Sequence, residues 1–438
     1  MKKLFALLLA AAMLLALAAC GAEQTETAAP AEETGEAEAA ETEAEAEPEQ
    51  TAAAEEGFVP ALDTDTEATL YFVGSWGNFE ALDQVALDFQ QYYPNVEVVY
   101  TKLDDYRNDL ANRFVTGEEI DLFMLSWWAE EYSLNQNIID NAEDLNETGI
   151  DFSNINADML QTGQVNGAQT VMPLYLESYG YMVNLDIFEQ TGIAVPTTYD
   201  ELISACEALV EAGYEQPIYM DASHYGRSFV GYYLQQLQSG SDEQTALDSA
   251  AALADELIGT GYVTDEGDTL EDTYNAMILR FFEGDIPVMV MPAGQYSGTA
   301  KREAKSDAFQ ENPFEYAFIP APFEDDGNAY IAQLGSIYMG VYKDSAQLDL
   351  ANEFLRFMLT DEEMLVLQEI KNMPTANVNN GMQNFPYLAA AEPVYSTADG
   401  ITAFDEAAAL NALSEYAVGG DHTAMNETLA DQLENGIG

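Results

Sequence analysis

Ala68-Thr69-Leu70-Tyr71-Phe72-Val73, followed by Gly74-Ser75-Trp76-Gly77-Asn78, is the stretch that decides the fold. Six residues rich in β-branched and aromatic side chains read as a strand, and the glycine, serine and asparagine after them as a turn. Leu82, Val85, Ala86 and Phe89 then recur at helical spacing until Pro94 ends the run. Residues 96–100 predict a second strand. Ile120-Asp121-Leu122-Phe123-Met124-Leu125 predicts a third, apolar enough to be buried on both faces. Strands alternating with helices mean βαβ units and parallel sheets.

The same alternation continues outward. Thr198-Tyr199-Asp200-Glu201 after Pro196 fits a capping box with Thr198 as N-cap, and Gly213 stands where a terminating glycine belongs. Within that helix Leu202, Ala205, Cys206, Leu209 and Val210 form an apolar stripe, so Cys206 reads as a core residue rather than a nucleophile. Further helices are expected at 242–258, 346–359 and 361–371. The chain is α/β throughout, and its 438 residues call for two domains or lobes.

The N-terminal residues carry an address rather than a fold. Lys2 and Lys3 precede an apolar stretch over 4–17 that is too short to span a bilayer, and Leu17-Ala18-Ala19-Cys20 closes it. This ending resembles the lipobox of bacterial lipoproteins, which implies lipidation of Cys20 and a signal peptide over 1–19. Residues 21–57 hold 13 Glu, no basic residue and no aromatic or branched aliphatic one, so they cannot bury enough apolar area to offset ordering. Residues 20–66 are therefore expected to be an anchor followed by an extended acidic tether.

With 78 acidic residues against 13 basic, the formal charge is −65. Such a field repels nucleic acid and anionic ligands and favours neutral or cationic ones. Cys20 and Cys206 are the only cysteines, so no disulfide is expected in the folded part. His224 and His422 are the only histidines, which makes a His-rich metal centre or a Ser-His triad improbable. Asp325-Asp326-Gly327-Asn328 lacks a full calcium-loop pattern. Neither metal nor cofactor is expected.

Six segments in order resemble the extracellular solute-binding proteins of ABC importers, in the maltose-binding-protein-like carbohydrate group. They are the opening strand–turn–helix with Tyr93 to Val98; Phe114-Val115-Thr116-Gly117 leading to Ile120-Asp121-Leu122-Phe123; and Val165-Asn166-Gly167 through Met172-Pro173-Leu174 to Tyr181-Met182-Val183-Asn184 and Pro196 to Leu202. Next come Phe282-Glu283-Gly284-Asp285 into residues 288–291, Phe318-Ile319-Pro320-Ala321-Pro322, and Ala351 to Leu355 with Met373-Pro374-Thr375. Ile120 replaces the family's usual proline, Val183 a tyrosine and Tyr199 a tryptophan.

The resemblance implies a two-lobe, periplasmic-binding-protein-like type II fold with a hinge and an interlobe cleft. The first lobe would comprise 67–178 plus about 317–345, and the second 179–316 plus about 346–438. It also implies capture of an extracellular sugar or oligosaccharide for ABC permease subunits and their cytoplasmic ATPase. The protein would be a lipid-anchored monomer at the outer face of the cytoplasmic membrane, with no catalytic residues.

Sugars present hydroxyl edges and an apolar face, so aromatics and polar groups near strand ends are the candidates. These are Trp76 with Asn78, and the Trp127-Trp128 pair with Glu130 close behind. By the resemblance, Glu177, seven residues before Asn184, takes the place of a sugar-contacting crossover glutamate, with Tyr179 on the same strand face. Tyr225 and Arg227 in an expected loop, Tyr296 as a second-lobe platform and Gln333 complete the set. Few basic residues are expected near the cleft, so a neutral oligosaccharide fits best, ahead of the same fold binding a polyamine or peptide. An extracellular glycoside hydrolase would also combine aromatics with two carboxylates, but no catalytic motif supports one.

Overall fold

In a computed structural model the described residues are 57–75, 80–126, 136–220, 222–265, 273–323, 329–395, 403–418 and 420–435. They carry two large, separate sheets and a two-stranded hairpin. The first has the strands β1 (Ala68–Gly74), β2 (Val96–Lys102), β3 (Leu122–Ser126) and β4 (Met172–Glu177). The second has β5 (Tyr179–Asn184), β6 (Ile218–Met220), β7 (Val263–Asp265), β8 (Val288–Pro292) and β9 (Tyr316–Pro320). The chain then returns to the first sheet as β10 (Tyr330–Val341), joined by β11 (Glu392–Tyr395).

The first sheet runs β11-β10-β3-β1-β2, with β4 also on β10; the second runs β9-β5-β8-β6-β7. β1 pairs with β2 and β3 in parallel, as the βαβ reading requires. The sheets are nonetheless mixed. β10 is antiparallel to β3 and β4, and β5 is antiparallel to β8 and β9, because each is a crossover strand entering its sheet from the other one. Only Ser178 separates β4 from β5.

Local signals hold where they were strongest. Helix α1 (Glu80–Phe89) buries Ala81, Leu82, Val85 and Phe89. Helix α2 (Tyr199–Glu211) has Thr198 as N-cap, its side chain accepting from the Glu201 N–H. The Glu201 carboxylate accepts from the Thr197 N–H at 2.8 Å, one residue further back than an ideal capping box. Cys206 is fully buried, and burial pushes its thiol up to about 12, so it is unreactive packing. Gln164–Val165 and Ala168–Gln169 form a hairpin whose two turn residues, Asn166 and Gly167, adopt φ of 52° and 88°, as an Asn-Gly turn of this type demands.

Each sheet has its own core. Around the second sheet, α2 packs with α3 (Ala222–Arg227) and α4 (Glu243–Gly259), supplying Leu202, Leu209, Tyr225, Ala250 and Ala254 to one cluster. Helices α5 (Ala293–Tyr296) and α6 (Thr299–Glu303) follow β8. On the first sheet, Phe89 of α1 meets Phe354 and Phe357 of α7 (Leu348–Met358), with ring centroids 5.1 and 5.3 Å away. Helix α8 (Asp361–Lys371) lies against α1 in the same cluster through Met364 and Leu367. Residues 348–371 therefore belong with the first sheet and not, as expected, with the second. Their apolar faces complete the layer that α1 begins. Helices α9 (Ala403–Ser414) and α10 (Thr423–Asn435) close the second core through Leu410, Leu413, Met425 and Leu429.

Tyr93 and Glu353 tie the first core to its edge. The Tyr93 hydroxyl donates to Glu353 Oε1 at 2.6 Å, and Arg356 donates to both carboxylate oxygens at 2.8 Å. Burial would raise the Glu353 carboxyl, but Arg356, the Ala61 N–H and Tyr93 together hold it below its ordinary value. Among the described residues no helix is long and apolar enough to cross a membrane.

Candidate functional site

The ends of several elements converge on a cleft of about 530 Å³. Ser75 follows β1, and Lys102, Glu177 and Pro292 are the last residues of β2, β4 and β8. Gly294, Gln295, Lys301 and Arg302 come from α5 and α6, Ser336 from β10, and Lys371 closes α8. Elements of both sheets thus line one cavity at carboxyl ends of strands, where open α/β sheets bind ligands.

Glu177 is its central buried group, 7% exposed. Its Oε1 accepts from the Gly294 N–H at 2.8 Å and the Ser178 N–H at 3.0 Å. Desolvation outweighs these bonds and pushes its carboxyl up to about 7, so near neutrality Glu177 is both donor and acceptor. Glycine at 294 leaves room for this carboxylate: a Cβ there would lie 2.5 Å from Glu177 Oε2 and force it to shift. Beside it, the buried Gln295 amide meets His224 Nε2 at 3.0 Å. Ser336 is fully buried, and its hydroxyl has no hydrogen-bond partner among the described residues.

Of the residues singled out from the sequence, Glu177 is the one that lines this cleft. Trp76, Asn78, Trp127, Trp128 and the neighbouring Glu130 lie outside the described residues, as does the 325–328 stretch. Of Gln333 only the backbone is described, paired with Tyr395. Tyr179 is buried in the second core.

Tyr225 departs from expectation because 222–227 is a helix rather than a loop. Its ring is wholly buried near Phe229 and Tyr416, and its hydroxyl donates to the Ala254 carbonyl at 2.8 Å. Arg227, half-buried at the end of that helix, is not among the lining residues. Tyr296 packs among Tyr316, Phe318 and Phe385, leaving its neighbour Gln295 to face the cavity.

The scarcity of cations expected here is also overturned, since Lys102, Lys301, Arg302 and Lys371 all line the cleft. Lys102 was open to the strand-end argument that picked out the tryptophans. Lys301, Arg302 and Lys371 sit on helices brought together only by the tertiary fold, and no local pattern marks them.

A larger concavity of about 760 Å³ runs along 375–391. It is lined mostly by that segment's own residues, none of them charged. The smaller cleft is the candidate site because it holds a buried carboxyl at the end of β4 and, within β10, a buried hydroxyl with no hydrogen-bond partner among the described residues.

Residues 73–365 match the family model described as bacterial extracellular solute-binding protein. The multiple sugar-binding protein of Streptococcus mutans is 21% identical over 346 residues, covering 72% of this chain and 77% of that one. Among solved structures, the GacH receptor of Streptomyces glaucescens, crystallised unliganded and with acarbose, aligns with a TM-score of 0.60 at 17% identity, over 84% of this chain and 98% of its own. The sugar-binding protein MalE of Xanthomonas citri gives 0.61 at 14% identity, over 83% and 95%. RafE of Streptococcus pneumoniae gives 0.60 at 16%, over 83% and 96%. These likenesses show a shared fold.

Proposed function

Since the chain belongs to the bacterial extracellular solute-binding proteins, we propose that it is the substrate-binding component of a sugar ABC importer, capturing a sugar or oligosaccharide and delivering it to the permease. Family and fold are those of transport binding proteins rather than enzymes. The observation that carries the reading is the cleft lined from both sheets, with Glu177 beside the single-residue crossover at Ser178. Relatives of this fold have been crystallised with raffinose and with stachyose, which supports an oligosaccharide ligand.

We take the first lobe as 67–178 with 330–371, and the second as 179–320 with 403–435. Closure about the crossovers would engage a ligand from both sides. The cations in the cleft argue against a polyamine. Trp76, Asn78, Trp127, Trp128 and Gln333 stay in the proposed site by the reasoning from sequence. Residues 57–66, expected to belong to the tether, pack on the first core, where the Ala61 N–H donates to Glu353 Oε1 at 2.8 Å and the Leu62 N–H to the Tyr93 hydroxyl at 3.1 Å. Lipidation of Cys20, with 21–56 as a tether, would hold the receptor beside its permease on the extracellular face.

A calorimetric panel of mono- and oligosaccharides, with spermidine and short peptides as controls, tests the ligand class. Saturable binding of a saccharide is expected, and binding of spermidine or peptide alone sinks the proposal. Labelling with tritiated palmitate, abolished by Cys20→Ser, is the result expected for the anchor.

A further inference from the structure

Four of the chain's 13 basic residues line one cleft in a molecule that carries 78 acidic ones. Three cations elsewhere are held by carboxylates. Arg113 pairs with Glu119 at 3.4 Å, Arg280 with Glu283 at 3.1 Å and Arg356 with Glu353 at 2.8 Å. In the cleft, besides the buried Glu177, two acidic neighbours sit toward solvent. Glu80, with a 43% exposed side chain, is 3.2 Å from Lys301, and Asp104, 95% exposed, is 3.6 Å from Lys102. Exposed pairs of this kind neutralise little.

Lys371 is the most enclosed of these cations by its environment's effect on it. Burial, together with the charges of Lys301 and Arg302, pushes its ammonium down to about 8 against the pull of Glu80. The Arg302 guanidinium folds back onto the α5–α6 turn, donating to the Gly298 carbonyl at 2.9 Å. Glycine at 298 makes room for it, since a Cβ there would stand 2.0 Å from Nη1. Like charges gathered in this way repel one another, and an anion placed among them relieves that repulsion. The Ser336 hydroxyl in the same cavity has no hydrogen-bond partner among the described residues.

Resting on the receptor reading above, we infer that the captured solute is a saccharide bearing an anionic group. A carboxylate, phosphate or sulfate meets Lys301, Arg302 and Lys371, while Gln295, Ser336 and Glu177 face the sugar hydroxyls. This reverses the preference for a neutral ligand drawn from overall charge: the molecule's field is negative, but the field inside this cleft is set by its own lining. Lysine and arginine donors both suit oxyanions, arginine in bidentate fashion.

The test is calorimetry on the purified protein with matched probes: trigalacturonate against neutral galacto-oligosaccharide, glucose 6-phosphate against glucose, and galactose 6-sulfate against galactose. The acidic member of one pair is expected to bind at least about tenfold tighter than its neutral partner, and the pair that responds identifies the anion. Its affinity should weaken with rising ionic strength, and Lys301→Gln, at the exposed mouth, should lower it several-fold. Arg302→Gln should do the same, with thermal unfolding checking that each variant folds. Neutral members binding as tightly as acidic ones overturn the charge preference and leave the sugar receptor standing. Binding of spermidine alone, or of no saccharide in the panel, overturns both.

Discussion

The backbone N–H of Gly294 donates to Glu177 Oε1 at 2.8 Å, joining residues 117 positions apart in sequence. The bond fastens the start of α5 to the last residue of β4, and so holds part of the second-sheet wall of the cleft against the end of a first-sheet strand. Because a Cβ at 294 would fall 2.5 Å from the other carboxylate oxygen, any larger residue there would displace the carboxylate. Gly294→Ala should weaken ligand binding by about tenfold, or about 1.4 kcal/mol. Titration calorimetry with the best-binding saccharide checks this, and unchanged affinity would remove the contact from the site.

The Glu177 carboxyl, pushed up to about 7 from an ordinary 4.5, keeps its proton in the native state after the unfolded chain has lost its own. Its stabilising contribution is complete below pH about 4.5 and is lost as the pH rises through about 7. Glu177→Gln should therefore remove about 2–3 kcal/mol from the fall in stability between about pH 5 and 8. Urea unfolding of both proteins at the two pH values measures it. An identical pH dependence would mean that Glu177 is ionised throughout.

Lys371, pushed down to about 8, gives binding a pH dependence of its own. An acidic ligand should lose affinity as the pH climbs through about 8, because the ammonium it meets is losing its proton, and Glu177 ionising near 7 acts in the same direction. Measuring Kd from about pH 6 to 9 for wild type and Lys371→Met should give a steeper loss in wild type.

Glu80→Ala separates stability from binding. Its pair with Lys301 is exposed, so thermal unfolding should move by no more than about 0.5 kcal/mol. Removing the carboxylate also leaves the cleft more positive, and an acidic saccharide should bind several-fold tighter. Weaker binding in this variant would place Glu80 in contact with the ligand instead.

Glu353→Ala tests the first core. It leaves the Tyr93 hydroxyl and the Arg356 guanidinium without the carboxylate that both bind, and should cost about 3 kcal/mol in urea unfolding.

What was legible in the sequence was what local chemistry determines. The strands from 68 and 96, the Thr198 cap and the buried face of Cys206 follow from periodicity and capping within a dozen residues. Glu177 was found through a resemblance and stands in the cleft. Tyr225 was misplaced because 222–227 is short and polar enough to read as a turn, whereas packing against Phe229 and Tyr416 makes it core. The lobe of 348–371 was misjudged because its amphipathic helices fit either sheet by pattern; α1 supplies the face they cover. The cation cluster was invisible because Lys102, Lys301 and Lys371 are separated by long stretches of chain and meet only through the topology.

Only Ser178 lies between the two sheets at the first crossover, and Glu177 is the residue before it. A group beside a pivot scarcely moves when the pivot turns. In any rotation of one sheet against the other about this point, Glu177 stays nearly still while Lys301 and Arg302, carried on α6, sweep through an arc. The carboxyl is then the fixed jaw of a vice and the cations the moving one, so the length of the captured molecule is gauged by how far Lys301 and Arg302 travel before meeting it.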